Sequence, residues 1–272
     1  MNRKEKRIIY ADNAATTRLD QDAFEAMCPF LCENFGNASQ PYSFSRVPKN
    51  ALKIARETIA SCINASPEEI FFTSGGTESD NWALKGILKT NESQTVITSQ
   101  IEHHAILHTC ASIEQVGNKV IYLPVDRNGI VDTNTLQEAL VNKVALVSVM
   151  YANNEIGSLE PIHELCNIAH RNGAKFHTDA VQAVGHVKID VKEIGVDMMS
   201  ASAHKFNGPK GIGFLYVKTG TALKPFADGG AQEYGMRAGT ENVAGIVAMS
   251  VALKKACSHI DDRRKHLSLI HI

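Results

Sequence analysis

This 272-residue chain has no long apolar run. No stretch approaches the roughly 20 residues that a helix needs to cross a bilayer, and the charged opening over residues 1–7 is followed by no apolar signal core. A membrane partner is therefore not expected, and a cytoplasmic setting is. The chain also lacks a basic block: 28 Lys and Arg stand against 29 Asp and Glu, for a net charge of −1, which leaves nucleic-acid binding without electrostatic support. Six scattered cysteines form no disulfide framework and read as reduced thiols. Cys28 and Cys32 are four apart, not in the C-x-x-C redox spacing, and fit small core residues of a helix. His104 and His108 are also four apart on a predicted helix, but no carboxylate or cysteine completes a ligand set, so no metal is expected. Internal repeats, low-complexity tracts and linkers are absent as well.

What remains is a chain with 44% hydrophobic residues, enough to bury one large core. Apolar strand-like runs alternate with longer amphipathic ones, the rhythm of an α/β fold with a mostly parallel central sheet. Strands are predicted at 95–98, 119–123, 144–149, 174–176, 196–202 and 213–217, with a further short one opening the segment 69–81. Helices are predicted over 20–33, 48–63, 78–88, 105–116, 161–171 and 241–265, with a shorter capped one at 132–138.

Three segments carry chemistry. Lys205 follows the apolar run 196–202 and precedes a Gly/Pro-rich turn, so its amine is partly desolvated, which lowers its pKa and frees it as a nucleophile. Ser202 and His204 beside it are donors for an anion, and a lysine joined to a phosphate site is the signature of pyridoxal phosphate held as a Schiff base. Asp179 closes a strand at the edge where open α/β sheets bind ligands. It suits either a pyridinium partner or a helix N-cap. Gly75 and Gly76 join a short strand to a helix start, where backbone N–H groups and the helix dipole favour a phosphate, with Thr77 adding a hydroxyl. Thr77 followed by Glu78 also reads as simple helix capping.

These segments resemble the class V aminotransferase group of fold-type I pyridoxal-phosphate enzymes, and within it the cysteine desulfurases. The residues that carry the likeness are 10–17, 35–37, 73–81, 102–103, 153–157, 177–182, 202–205 and 235–242, in the family's order. The resemblance implies that Lys205 forms the Schiff base and shuttles protons, Asp179 holds the pyridine nitrogen, Gln182 reaches the ring's phenolic oxygen and His103 stacks on the ring. It implies a phosphate cup of Gly76, Thr77, Ser202 and His204, with Thr240 reaching the partner subunit's phosphate in a homodimer. Asn154 would lie beside the ring and the substrate carboxylate. The implied reaction converts L-cysteine to L-alanine and passes sulfur to an enzyme cysteine as a persulfide, for an acceptor or scaffold protein in iron–sulfur cluster or other sulfur-carrying biosynthesis. A selenocysteine lyase or a class V aminotransferase shares the same cofactor core.

The chain departs from the family pattern in several places. None of the six cysteines has the small, serine-rich loop context of the family's nucleophile, which sits in a C-terminal small domain expected to be missing here. Residues 1–19 read as an N-terminal arm, 20–266 as the cofactor-binding large domain and 267–272 as a non-native tail. On that reading the chain binds cofactor but does not sustain desulfuration, and a non-catalytic cofactor-binding fragment is the alternative. Tyr42, Ala231 and Tyr234 stand where many relatives have histidine, glycine and arginine, which bears on substrate preference more than on the cofactor.

Overall fold

The computed structural model describes residues 9–140 and 143–268. In chain order the elements are α1 (Gln21–Met27), α2 (Pro29–Cys32), α3 (Arg46–Cys62), β1 (Ile70–Thr73), α4 (Gly76–Gly86), β2 (Thr95–Ser99), α5 (His104–Gln115), β3 (Lys119–Leu123) and α6 (Thr133–Ala139). Then come β4 (Val144–Ser148), α7 (Ile162–Arg171), β5 (Lys175–Asp179), α8 (Val191–Ile194), β6 (Met198–Ser202), β7 (Gly213–Val217), α9 (Val243–Ser258) and α10 (Ile260–Ser268). The strands form one seven-stranded sheet in the order β1-β7-β6-β5-β4-β2-β3. Only β7 runs against its neighbours; β2 to β6 are parallel, as the alternating pattern predicts. Because β7 is antiparallel to both β1 and β6, β1 points the same way as the parallel set. The carboxyl ends of β1, β2, β4, β5 and β6 therefore lie along one edge.

Each sheet face is covered by helices. On one side α4 and α5 close over Trp82, Ile106, Val96, Leu146, Met198 and Leu215. On the other, α3, α6, α7 and α9 cover Phe176, Met199, Phe214 and Ile59. Strand alternation sends Met198 to the first face and Met199 to the second. On the α4 face each strand turns polar towards its carboxyl end: Leu146 gives way to Ser148, and Met198 to Ser200, both fully buried. That polar edge is where a site can form.

Two predicted helices are divided. The run over 20–33 becomes α1 and α2 because Pro29 has no N–H to continue the ladder. The run over 241–265 becomes α9 and α10, bent by 56°. The break follows from the Lys255 carbonyl, which accepts from the Ser258 hydroxyl at 2.9 Å and lies 2.8 Å from His259 Nδ1, while the His259 N–H turns to Ala256. No single helix among the described residues is long and apolar enough to cross a membrane. Of the stretch 267–272, Leu267 and Ser268 close α10, and 269–272 lie outside the described residues, as do 1–8 of the N-terminal arm.

Strand β1 is an edge, yet its outward backbone groups are satisfied. The Phe72 N–H donates to Glu233 Oε2 at 2.9 Å, and Arg56 donates to the Ile70 carbonyl. Arg56 also pairs with Glu233 through two bonds of 2.9 and 2.7 Å and lies over the Phe72 ring, 4.2 Å from its centroid. Both side chains are nearly out of water, at 12% and 4% exposure. Removing one member of such a pair strands the other charge, so Glu233→Gln is expected to lower the unfolding free energy by about 3 kcal/mol in urea titration. Adding Arg56→Met should recover part of that loss. A cost below about 1 kcal/mol would show that the pair behaves as an ordinary surface bridge.

Candidate functional site

A cavity of about 510 Å³ opens at the carboxyl edge of the sheet. Nine of the sequence-predicted residues line it: Gly76, Thr77, His103, Asn154, Asp179, Gln182, Ser202, His204 and Lys205. They arrive from α4, the β2–α5 connection, the loop after β4, the end of β5 and the turn after β6. Thr240 does not join them. It lines a separate small cavity with Ser74, Arg237, Glu241 and Asn242.

The anion-binding end is built from backbone. Helix α4 starts at Gly76 with no side chain capping it, so its first N–H groups are free. Gly75 adopts φ 151°, a conformation that side chains rarely take. A Cβ on Gly76 would lie 2.5 Å from Val181 Cγ2, so glycine is required for the approach. The Ser202 side chain borders the same two glycines. An uncapped helix start flanked by Thr77 and Ser202 has the donors to hold an anion.

Asp179 sits at the floor, with Oδ1 accepting the Val181 N–H at 2.9 Å. The local-turn contact thus takes one of the two carboxylate oxygens. Burial raises its pKa, while that backbone bond and the charge of Lys205 pull it down. Lys205 shows the converse: burial lowers its pKa, and Asp179 and Asp12 raise it. The amine donates to the carbonyls of Ala14 and, at 3.0 Å, Ala15. Gln182 Nε2 donates to the same Ala14 carbonyl at 2.9 Å. His103 caps α5, its Nδ1 accepting the Ala105 N–H at 3.1 Å, so the ring's proton is on Nε2. His204 Nδ1 lies 3.1 Å from Thr16 Oγ1, and burial lowers its pKa.

Sequence reasoning missed part of this wall. Residues 10–17 carry the family pattern, but their role is structural: Thr17 donates to the His204 carbonyl from N–H at 2.9 Å and from Oγ1 at 2.8 Å, and accepts the Asn207 N–H at 2.8 Å. The segment is thereby stitched to the Lys205 turn and contributes Asp12, Ala14 and Ala15 to the cavity. Asp80 also lines it, one turn along α4 from Gly76. Its helical spacing from Gly76 and Thr77 was the available signal. None of the six cysteines lines the cavity, and burial pushes the Cys110 and Cys166 thiols up to about 12.

Comparison with known proteins agrees with this geometry. The family described as aminotransferase class-V matches residues 9–267. A cysteine desulfurase IscS of Methanosarcina thermophila is 49% identical over 265 residues, which is 97% of this chain and 66% of that protein. A cysteine desulfurase IscS of Clostridium botulinum (strain Hall) is 50% identical over 262 residues, 96% of this chain and again 66% of the relative. The chain thus spans just under two thirds of these relatives' length. Among solved structures, a NifS-like protein superposes with TM-score 0.95 at 38% identity, covering 97% of this chain and 74% of the other. A structure titled SspA in complex with cysteine gives TM-score 0.89 at 39% identity, covering 91% and 72%.

Behind the cavity, His177 is wholly buried between two hydroxyls, Nδ1 to Ser148 Oγ and Nε2 to Ser200 Oγ, each 2.9 Å. Burial lowers its pKa from 6.5 to about 3. The unfolded chain then binds a proton that the folded chain refuses, so stability falls as pH drops from about 6.5 towards about 3. Over that window His177 should contribute a slope of up to about 1.4 kcal/mol per pH unit. Denaturation of His177→Gln across the same range is expected to show a shallower acid limb. An unchanged limb would mean that His177 is not the titrating group.

Proposed function

The chain belongs to the aminotransferase class-V family, and on that premise we propose that it is a pyridoxal-phosphate-dependent cysteine desulfurase acting on L-cysteine. The observation that carries the reading is the convergence of Lys205, Asp179 and the uncapped start of α4 on one cavity. The residues fit the cofactor: a cup that only glycine permits for the phosphate, a buried carboxylate for the ring nitrogen, and a depressed amine to attach the aldehyde. When bound, pyridoxal phosphate supplies an electron sink that stabilises the charge left at the substrate Cα.

The chain's own residues supply the rest. Gly76, Thr77, Ser202 and His204 would hold the phosphate. Asp179 has a raised pKa in the bare cavity because its charge is desolvated, and a positive ring nitrogen is the partner that would offset that cost. The lowered pKa of Lys205 keeps its amine competent to accept and return a proton at the substrate Cα. The carbonyls of Ala14 and Ala15 hold that amine against the cavity wall when it is not covalently engaged. His103 presents Nε2–H as a donor, and Asn154 lines the same cavity. No cavity-lining residue is a thiol, so the group that receives sulfur approaches from outside the lining.

The finer assignments are part of the same proposal. A homodimer is supported by the setting of Thr240 in a cavity of its own, outside the site of its own chain. A sulfur-acceptor or scaffold protein follows from the desulfurase reading, since a persulfide must be discharged. Six unpaired cysteines support a cytoplasmic setting.

Addition of pyridoxal phosphate to the folded chain is expected to produce a visible absorption band that Lys205→Ala abolishes, since the amine is the attachment point. L-cysteine should then perturb that band without sustained alanine formation, since no thiol lines the cavity to receive the sulfur. A band that persists in Lys205→Ala overturns the attachment. An intact band that is indifferent to L-cysteine, but responsive to another amino acid, overturns the substrate.

A further inference from the structure

Asp80 is a buried acid for which the roles above leave no task. It is 1% exposed and yet lines the cavity. Its Oδ1 has no hydrogen-bond partner, and His177 Nε2 is 3.7 Å away. His177 cannot serve as its counter-ion, because both ring nitrogens are engaged by Ser148 and Ser200 and burial keeps the ring neutral. The parallel register puts these groups together: His177 and Asp179 share one face of β5, Ser200 pairs with Asp179 across to β6, and α4 brings Asp80 onto that face.

The remaining titratable neighbours do not favour ionisation either. Asp179 and Glu102 are carboxyls, and both act to keep a proton on Asp80. Glu102, buried and bonded to Ser99 and the Met150 N–H, is itself pushed up to about 8. The cavity's lysine, Lys205, acts on Asp179. Two carboxylates in one desolvated pocket do not both ionise, and the one with Lys205 beside it keeps the charge. Burial first, and then the charge of Asp179, push Asp80 well above the carboxylate range, with the Ser200 hydroxyl opposing.

We propose that Asp80 is a positioning residue that stays a neutral carboxylic acid, backed by the Ser200–His177–Ser148 chain, and leaves Asp179 as the single anion available to the ring nitrogen. The filled volume behind Asp179 also excludes water, which would otherwise solvate that anion and weaken its hold on a cationic ring. The positioning role rests on the reading of the cavity as the pyridoxal-phosphate site. The protonation of Asp80 does not.

Two measurements separate these parts. In the chain without added cofactor at neutral pH, the infrared difference between the parent and Asp80→Asn should show loss of a protonated-carboxyl C=O stretch. Loss of a carboxylate stretch instead overturns the proposal, and this comparison needs only the near-isosteric variant. In the pyridoxal-phosphate complex, Asp80→Asn should keep the affinity for pyridoxal phosphate and the pH midpoint of the visible band, because an amide preserves both shape and neutrality. Asp80→Ala, which lets water in, should move that midpoint by about one pH unit and weaken binding about tenfold. A purely structural role would lower the melting temperature of both variants and leave the midpoint fixed, which overturns the proposal. So does a midpoint shift of equal size in Asp80→Asn. If the parent chain binds no pyridoxal phosphate, the reading of the cavity and the positioning role both fall, and the infrared result still decides whether Asp80 carries the proton.

Discussion

The cost of taking charge out of water governs this protein's candidate site. Burial is the first cause acting on Lys205, Asp179, Asp80, Glu102, His177 and His204 alike, and it pushes each towards its neutral form. For lysine that direction is useful, because a neutral amine is a nucleophile and a base. For the acids it is a restriction, and among them Asp179 has the charge of Lys205 drawing it back. The sheet creates the condition. Its carboxyl edge turns polar on the α4 face while α4 and α5 still cover it, so the polar residues are gathered without being hydrated.

The same principle acts with opposite outcome at the sheet's edge. Arg56 and Glu233 are nearly as buried, yet the two donate and accept in a paired geometry and also satisfy the open backbone groups of β1. There each charge has its counter-ion and hydrogen bonds within the protein, which is the arrangement in which burial is tolerated. In the cavity, Asp179 has one oxygen committed to Val181 and its other facing open space. A site differs from a structural bridge in that one partner is left for a ligand to supply.

Much of this was legible in the sequence, and the reasons differ by element. Every predicted strand is present because runs such as 144–149 and 213–217 are apolar, short and bounded by turns, so local pattern and tertiary burial agree. Nine of the ten predicted site residues meet in one cavity because each lies at a strand end, at a helix start or in the connection after a strand, and a mostly parallel sheet brings such places together. What escaped depends on particular side-chain contacts, some of them far apart in sequence. The stitching of Thr17 to His204 spans 187 residues. The division of the last helix turns on whether Ser258 and His259 side chains take the Lys255 carbonyl, which periodicity does not reveal. Asp80 falls inside a recognised motif, but its environment is assembled by three strands, and only their register shows that it has no counter-ion.

The segment that carries Thr240 ties stability to the anion site. Glu233 anchors it to β1, and a few residues on Arg237 grips Glu78 through bonds of 2.8 and 3.1 Å. Glu78 lies in the first turn of α4, next to the cup where a phosphate is expected, and a free carboxylate there would repel it. Burial pulls the Glu78 pKa up, but Arg237 and Ser74 hold it below the ordinary value, so the carboxylate stays ionised and its charge is matched. Glu78 also accepts the Ser74 hydroxyl at 2.6 Å, fixing the strand end that leads into Gly75. Arg237 therefore acts on the cup twice, by neutralising a like charge and by stiffening the turn before it. The Glu233 anchor, 161 residues from Phe72 in sequence, sets where Arg237 stands. The edge-strand bridge is in this way a support of the candidate site as well as of the fold, through one continuous stretch of backbone.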